Sequence, residues 1–515
     1  MPEGAGAAVG FKEDAKFARF VAMGAVGAAV AADVLRERHG HQPIELERYA
    51  TANKVWQSKV KRLRLPDLVC TQCGLRIEAR AKSTLEIVLS HSDTPGRRWD
   101  DGGMRDSDLY AFMRVRSNQD EFPPDVADPV WFSTAALRAR ETHAMRSGRK
   151  SQSDGSELMM KWKSWSPKFG GTFECVDSDG RIAVRKETGE RRSYWQWRDW
   201  PSEGHVYLAP GDKFEPGEQI VAGIVTPPES LSCPGAIWDV SAALQDPNEV
   251  ERLAAMRAVG TQPHAQVIEL LRNVAHDAEE DWRIRLEAQV ALARSDSRNW
   301  VPLIAASMDA SEEHERSMEA VLALTEVDAS AALEALFDIA TNIDLHEDVR
   351  AAAAWGVGQG AAASPDRLIP VMLDDNPLVA VHAVSAIDSV SDATRTTLLD
   401  WLGSGDQRKA AAAANVLARI HDVETLLDAC DEDEPARRWA VYALGGMDAS
   451  VVRCRAGTRL TDELRSVLEP MWLRELDWLQ ADDDPLTALD LQKIRFDPKH
   501  PTLDVVMSPA RSVSD

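Results

Sequence analysis

The sequence predicts a multidomain protein in which an N-terminal α/β domain and a small β-barrel-like domain precede an all-α domain of helical repeats. At 515 residues the chain is roughly three to four times the size of a typical domain. A helical pattern recurs at regular intervals through the second half. The charge also changes: residues 1–230 carry 34 Lys and Arg against 33 Asp and Glu, and residues 231–515 carry 25 against 50. The two halves therefore differ in net charge and in predicted architecture.

The composition excludes several classes of protein. With 44% hydrophobic and 28% charged residues, the chain is neither wholly disordered nor collagenous. Six cysteines cannot form a disulfide framework, so we expect a reducing compartment and a cytoplasmic location. The longest uncharged stretch, residues 20–32, falls short of the roughly 18 to 20 residues needed to span a bilayer. We expect no membrane association.

Turn residues and polar stretches suggest the domain boundaries. The stretch after residue 145 is rich in Ser and Gly and lacks apolar periodicity, which predicts a linker. Beyond it, short strand-like segments alternate with Asp-Gly, Thr-Gly and Pro-Gly turns. The predicted units are an α/β domain over 1–145, a linker over 146–157, a small β domain over 158–230, helical repeats over 231–455, and a capping helix with a partly disordered tail over 456–515.

The first domain is predicted from its apolar periodicities. Period-two alternation over 76–82 sets Glu78, Arg80 and Lys82 on one face of a strand and smaller apolar residues on the other. The predicted elements, in order, are a packed helix including residues 20–32, a helix over 44–60, strands over 62–69, 76–82 and 85–90, a helix over 106–113, and a strand over 130–132 followed by another helix.

Two acidic residues lie in positions suited to metal chemistry. Asp67 ends the first of the three successive strands, and Glu78 lies on the second. Paired carboxylates can hold Mg²⁺, which activates water and screens a scissile phosphate, while Arg80 or Lys82 stabilises the developing charge. The alternative is a solvated strand face on which Glu78, Arg80 and Lys82 pair with neighbours.

These residues resemble the motif of the PD-(D/E)xK nuclease superfamily. Pro66-Asp67 stands where the family has its PD element, and Glu78-Ala79-Arg80 stands where it has (D/E)xK. The resemblance implies a nuclease-like α/β fold that uses Mg²⁺ or Mn²⁺, with Asp67 and Glu78 as metal ligands and Glu47 as the supporting acid on the first helix. The chain departs from the pattern because the cation two residues after Glu78 is arginine, and a lysine follows only at Lys82.

Positive charge close to Asp67 would suit a phosphate backbone. Because the acidic second half would repel nucleic acid, we expect any nucleic-acid partner to bind the first half. The candidate phosphate-binding residues are Lys59, Lys61, Arg62, Arg64, Arg97 and Arg98.

Cys70 and Cys73 form half of a zinc-binding pattern. A structural Zn²⁺ needs four ligands, and no second close cysteine pair exists. The missing ligands would have to come from His91, Cys175 or Cys233. The alternative is a tight turn with free thiols.

The second half repeats an Asp-x-Arg start followed by an Ala-rich helix. Equivalent positions recur at intervals of 29 to 34 residues, one helical hairpin each. The pattern resembles HEAT-like repeats of the phycobilisome-lyase type over about residues 240–450. The arginines form either a basic stripe or, as we favour in such acidic surroundings, a ladder in which each pairs with an acid or carbonyl between adjacent repeats. The positions are Arg252, Arg283, Arg316, Arg350, Val379, Arg408 and Arg437.

The leading functional hypothesis joins these parts. A Mg²⁺-dependent nuclease would act on nucleic acid through the N-terminal half, and the acidic repeats would recruit a protein partner. The alternative is a non-enzymatic scaffold whose N-terminal domain only binds nucleic acid or protein. An accessory role like that of some lyase- or hydroxylase-associated repeat proteins rests on fold resemblance alone.

Overall fold

The computed structural model describes residues 11–47, 65–92, 98–100, 103–116, 125–150, 157–194, 203–261, 265–309, 314–359 and 365–478. An N-terminal α/β region with several small sheets precedes an all-helical region. This arrangement confirms the multidomain prediction in its coarse form.

A mixed sheet with a long helix on one face forms the start of the chain. Helix α1 (Phe11–His39) precedes strands β1 (Pro43–Glu45), β2 (Leu68–Cys70) and β3 (Arg76–Lys82), which pair antiparallel in that order. Strand β5 (Leu109–Arg116) then pairs parallel to β3. Ile77, Ala79 and Leu68 pack with α1 in one core cluster, which confirms the predicted apolar face of β3.

One predicted helix of this region is wrong, and a second is contradicted where it begins. The helix predicted over 106–113 is wrong because residues 109–116 form the strand β5. Side chains on both faces of β5 are buried. Strands of this kind are continuous apolar runs in the sequence and lack period-two alternation. The helix predicted over 44–60 begins instead as β1, because pairing with β2 holds its backbone extended. Residues 48–64 lie outside the described residues.

The predicted third strand belongs to a second sheet. Strand β4 (Val88–His91) pairs with β9 (Glu157–Lys161), which in turn pairs with β8 (Met145–Lys150). Strands β8 and β9 thus occupy parts of the segment predicted as a linker over 146–157. Leu89 and Phe112 from before that segment share a core with Trp162 and Ile224 from beyond it, so the division drawn at residue 146 does not separate two cores.

Short strands complete the N-terminal half. The predicted strand 130–132 and its following helix are confirmed as β7 (Val130–Ser133) and α2 (Thr134–Ala139). The predicted β domain forms two small sheets with orders β13-β12-β11-β15 and β10-β16-β14. The remaining strands are β6 (Asp125–Val126), β10 (Ser164–Trp165), β11 (Gly171–Val176), β12 (Ile182–Lys186), β13 (Arg191–Tyr194), β14 (His205–Val206), β15 (Lys213–Phe214) and β16 (Ala222–Gly223).

The second half is helical throughout its described residues. Most helices pack against the next helix in the chain and the one after it, and their apolar faces join in one continuous core cluster. The helices are α3 (Val240–Ala243), α4 (Glu249–Thr261), α5 (Ala265–His276), α6 (Trp282–Ala293), α7 (Ser297–Asp309), α8 (His314–Thr325), α9 (Ser330–Thr341), α10 (Glu347–Val357), α11 (Pro377–Ser385), α12 (Asp392–Gly403), α13 (Gln407–Arg419), α14 (Val423–Cys430), α15 (Ala436–Gly445), α16 (Ala449–Ala456) and α17 (Asp462–Trp478).

The arginine ladder predicted from the repeat is confirmed at five of its six arginines; the sixth, Arg316, lies over the ring of Trp282. Arg252 pairs with Glu280 at 2.8 Å, and Arg283 pairs with Glu315 at 2.9 Å, each partner lying 28 or 32 residues further along the chain. Arg350 pairs with Asp374, which lies near the start of the following helix. Arg408 reaches back to Asp375 at 2.8 Å, and Arg437 reaches forward to Glu463 at 2.9 Å. These cations bridge successive helical units, so they do not form an unpaired basic stripe.

The N-terminal sheet packs directly on the first helices. The side chains of Leu46 and Val69 form a small core with Ala254 of α4. Arg76, which is 1% exposed, pairs with Glu251 of α4 at 2.6 Å. The α/β region and the helical region therefore share a buried contact. Across the described residues, every helix is too short or too polar to serve as a membrane span.

Candidate functional site

Asp67, which immediately precedes β2, lies across from Glu78 of β3. Leu68 pairs with Ile77 across β2 and β3, and continuing that antiparallel register sets Asp67 opposite Glu78. The backbone N–H of Ala79 donates a hydrogen bond to Asp67 Oδ2 at 2.7 Å. Directly opposed residues of an antiparallel pair have Cα atoms about 4.5–5.5 Å apart. Asp67 and Glu78 are therefore neighbours.

Arg80 is the cation that pairs with Glu78. Its guanidinium forms an ion pair with the carboxylate of Glu78, and their side chains are 36% and 15% exposed. Burial disfavours the charged form of Arg80, but the carboxylates of Glu78 and Asp67 outweigh it, so the pKa of Arg80 lies above its ordinary value. Lys82 ends the same strand, two residues on and on the same face, in register with Arg114 of β5. The cluster thus holds two acids, one cation paired with Glu78 and a second cation two residues further along β3.

The remaining predicted site residues are the supporting acid, Glu47, and the basic residues. Glu47 follows β1 in a bend and does not lie on a helix, so that prediction is wrong in its secondary structure. Arg98 pairs with Asp100 and Glu141, each at 3.3 Å. The other predicted phosphate-binding residues lie outside the described residues: Lys59, Lys61, Arg62, Arg64 and Arg97.

A second cluster forms around the predicted zinc-binding cysteines. One ligand atom from each of His41, Cys70, Cys73 and Cys233 lies within 4.8 Å of every other. Cys70 ends β2, and Cys73 lies in the turn that leads to β3. His41 follows α1, and Cys233 lies in the segment before α3. Chain segments far apart in sequence therefore meet at one point.

Backbone hydrogen bonds fix the geometry of this cluster. The N–H of Gly74 donates to the Cys70 carbonyl at 2.9 Å, and Gly74 adopts φ of +70°, a conformation that favours glycine. The N–H of Gln42 points at Cys70 Sγ over 3.4 Å. The N–H of Cys233 donates to the His39 carbonyl at 2.8 Å. The turn and these hydrogen bonds fix the backbone around Cys70, Cys73 and Cys233.

The thiols of the cluster are electrostatically unequal. The pKa of Cys70 lies well below its ordinary value, chiefly because its sulfur accepts a hydrogen bond from the Cys73 thiol; the Gln42 N–H adds to this effect, and burial opposes it. The pKa of Cys73 is raised because its thiol donates to Cys70 and is half-buried.

Sequence reasoning found half of this cluster and proposed Cys233 as one candidate for the rest. His91 accepts a hydrogen bond from the Trp99 N–H over 3.4 Å, and Cys175 lies exposed on β11 in a different sheet. His41 was missed. The signal that could have identified it is the pairing of β1 with β2, which brings the residues just before Pro43 next to Cys70.

Comparisons with known proteins give no family for this chain. No family model matches it, and no curated protein matches it. Among solved structures, the YibA protein of E. coli is similar at 15% identity and a TM-score of 0.24, covering 47% of this chain and 92% of its own. An engineered protein is similar at 16% identity and a TM-score of 0.22, covering 50% of this chain and 76% of its own. Similarity at this level supports no inference about fold or function.

Proposed function

We propose that the N-terminal region is a metal-dependent phosphodiester hydrolase acting on nucleic acid. The proposal is supported by the position of Asp67 just before β2, where its carboxylate accepts a hydrogen bond from the Ala79 N–H next to Glu78 on β3, and by the ion pair of Arg80 with Glu78. Carboxylate oxygens are the ligands that Mg²⁺ and Mn²⁺ prefer, so this donor set fits either ion.

The roles of the residues follow from their charge and position. Asp67 and Glu78 would hold the ion, which supplies charge stabilisation and an acidified water when bound. Arg80 would stabilise negative charge that develops on the phosphate, and Lys82 is the alternative cation at the end of the same strand. The Ala79 N–H fixes the orientation of the Asp67 carboxylate through its 2.7 Å hydrogen bond.

The helical region would act as a platform for a protein partner, with its helices stacked as HEAT-like repeats. Its ladder arginines are engaged with Glu280, Glu315 and other acids, which leaves them poorly suited to bind phosphate. Many of its exposed side chains are acidic, and partners with basic surfaces would complement them.

The proposal is tested with the full-length protein on duplex DNA, single-stranded DNA and RNA, with Mg²⁺ or Mn²⁺ added. Asp67→Asn and Glu78→Gln preserve shape but remove charge, and we expect each to reduce cleavage by about a hundredfold or more. Glu174→Gln is the matched control, because Glu174 is also a strand carboxylate paired with arginine, at 2.6 Å from Arg185.

Arg80→Gln and Lys82→Gln, compared in parallel, identify which cation faces the phosphate. Equal cleavage by the wild type, Asp67→Asn and Glu78→Gln would point to a contaminating nuclease. That result, or no cleavage by the wild type with either metal, favours the second candidate: a non-enzymatic scaffold in which the Glu78–Arg80 ion pair is purely structural.

A further inference from the structure

We propose that His41, Cys70, Cys73 and Cys233 bind one structural Zn²⁺ ion that fastens the N-terminal sheet to the segment leading into the helices. The inference is independent of the proposed hydrolase. It rests on the meeting of four ligand atoms within 4.8 Å of one another, in a chain whose six cysteines are all free thiols.

The distances suit a tetrahedral ion. Zinc bonds of about 2.0–2.3 Å set tetrahedral ligand atoms about 3.4–3.8 Å apart. Cys73 Sγ and His41 Nδ1 already lie 3.6 Å apart. The other ligand atoms reach this spacing by small side-chain rotations, since none of the pairs exceeds 4.8 Å.

The surroundings select the metal-binding form of the histidine. His41 Nε2 lies 2.8 Å from the Leu231 carbonyl, to which only a protonated nitrogen can donate. In the neutral ring this leaves Nδ1, the atom that faces Cys73, as a lone-pair donor. A carbonyl partner on the far nitrogen is the usual orienting contact of a zinc-bound histidine.

The chemistry of the donors favours zinc over other ions. Three sulfurs and one imidazole form a Cys₃His set, which is a closed structural site with no position left for water or substrate. Mg²⁺ and Ca²⁺ prefer oxygen ligands, so the cation of the Asp67 and Glu78 pair would not compete here.

Packing around the cluster shows what the ion would hold in place. A Cβ on Gly74 would lie 2.8 Å from the ring of Trp238, so the turn between β2 and β3 fits closely under that indole. The N–H of Trp238 donates to the Gln72 carbonyl at 3.1 Å. An ion joining Cys73 to Cys233 would fasten the same two segments. Because the ligands span residues 41 to 233, one ion constrains a long stretch of chain.

Metal content of the full-length protein, purified without chelators, tests the site directly. We expect one zinc per chain by elemental mass spectrometry in the wild type, and most of it lost in Cys73→Ser and Cys233→Ser. Cys175→Ser and Cys454→Ser are the controls because both of these cysteines are exposed and outside the cluster. Asp67→Asn should retain the zinc, which separates this site from the proposed catalytic one.

Thiol labelling of the wild type provides a test that does not depend on the folding of any variant. Cys73 and Cys233 are only half-buried, so without metal they should be alkylated readily. With zinc bound they should resist alkylation until a chelator is added, while Cys175 and Cys454 are labelled in both conditions. Three results would each overturn the proposal. They are a zinc content that is unchanged in Cys73→Ser and Cys233→Ser, an alkylation of Cys73 and Cys233 that is the same with and without chelator, and a disulfide bond within the cluster.

Discussion

Arg76 links the N-terminal sheet to the helical region through a buried ion pair. Its guanidinium is 1% exposed and lies 2.6 Å from the carboxylate of Glu251 on α4. Its backbone N–H donates to the buried carboxylate of Asp108 at 3.0 Å. A buried arginine without a partner costs several kcal/mol, so moving α4 away from the sheet would leave an uncompensated charge. The contact therefore opposes separation of the two regions.

His382 makes the helical region sensitive to acid. The ring is fully buried in α11, and burial lowers its pKa from 6.5 to about 4, against the opposing effect of its hydrogen bond to the Leu378 carbonyl. Between pH 6.5 and about 4, His382 is protonated in the unfolded chain but stays neutral in the folded chain. The free energy of unfolding therefore falls as the pH drops towards 4. The slope approaches about 1.4 kcal/mol per pH unit, and the total loss is about 3 kcal/mol.

The measurement is thermal unfolding followed by far-UV circular dichroism at pH 7 and pH 4.5. His382→Asn, which can still donate to the Leu378 carbonyl, should show a smaller drop in the midpoint temperature between the two pH values than the wild type. His276→Asn, at an exposed histidine, is the control and should fall as the wild type does. If His382→Asn falls by as much as the wild type, other groups carry the acid sensitivity.

Helix α1 approaches strand β3 so closely that one glycine is required. A Cβ added at Gly27 would lie 2.6 Å from the Cβ of Ala81, a separation that real Cβ atoms do not adopt. Gly27→Ala should therefore destabilise the protein. Overpacking costs about 1–3 kcal/mol, and the higher helix propensity of alanine offsets only about 1 kcal/mol of that cost. Thermal unfolding of the N-terminal region reports the change.

Gly24 on the same helix is the matched control. Nothing lies within 4 Å of a Cβ placed there, so Gly24→Ala should gain up to about 1 kcal/mol from helix propensity alone. Opposite signs for the two substitutions would support the close approach of α1 to β3. A Gly27→Ala protein as stable as the wild type would contradict it.

The elements that the sequence predicted well are those whose pattern is local. The helical character of the second half is recognisable from its alanine-rich runs, and the alternation over 76–82 identifies both faces of β3. The elements predicted wrongly depend on distant partners. Strand β5 is apolar on both faces because α1 covers one and the Trp162 core covers the other, and no window of sequence records that burial.

The same distinction governs the candidate sites. Asp67 and Glu78 were found because they lie on consecutive paired strands, so their spacing along the chain reflects their spacing in the fold. The pair Cys70 and Cys73 is predicted from its spacing of three residues, at the end of β2 and in the turn that follows. His41 and Cys233 are brought in by β1 pairing and by the segment before α3, and a separation of 192 residues leaves no local trace.

The division of charge between the halves predicts where the nucleic acid of the proposed function would bind. Residues 231–515 carry 25 basic against 50 acidic side chains, and ladder arginines such as Arg283 and Arg350 are already paired within the helical region. Nucleic-acid binding depends on releasing counterions by placing cations at phosphates. The helical region offers few cations for that exchange, and its carboxylates repel the backbone.

We therefore expect photocrosslinking of full-length protein to duplex DNA containing 4-thiothymidine to label residues 1–230 and to leave residues 249–478 unlabelled, as mapped by peptide mass spectrometry. Raising the salt concentration should reduce the yield steeply, because the added cations compete with protein side chains for the phosphates. Omitting irradiation gives the background. Crosslinks concentrated on the helices would mean that local pairing of Arg283 and Arg350 does not prevent phosphate binding, and the assignment of nucleic acid to the N-terminal half would have to be reversed.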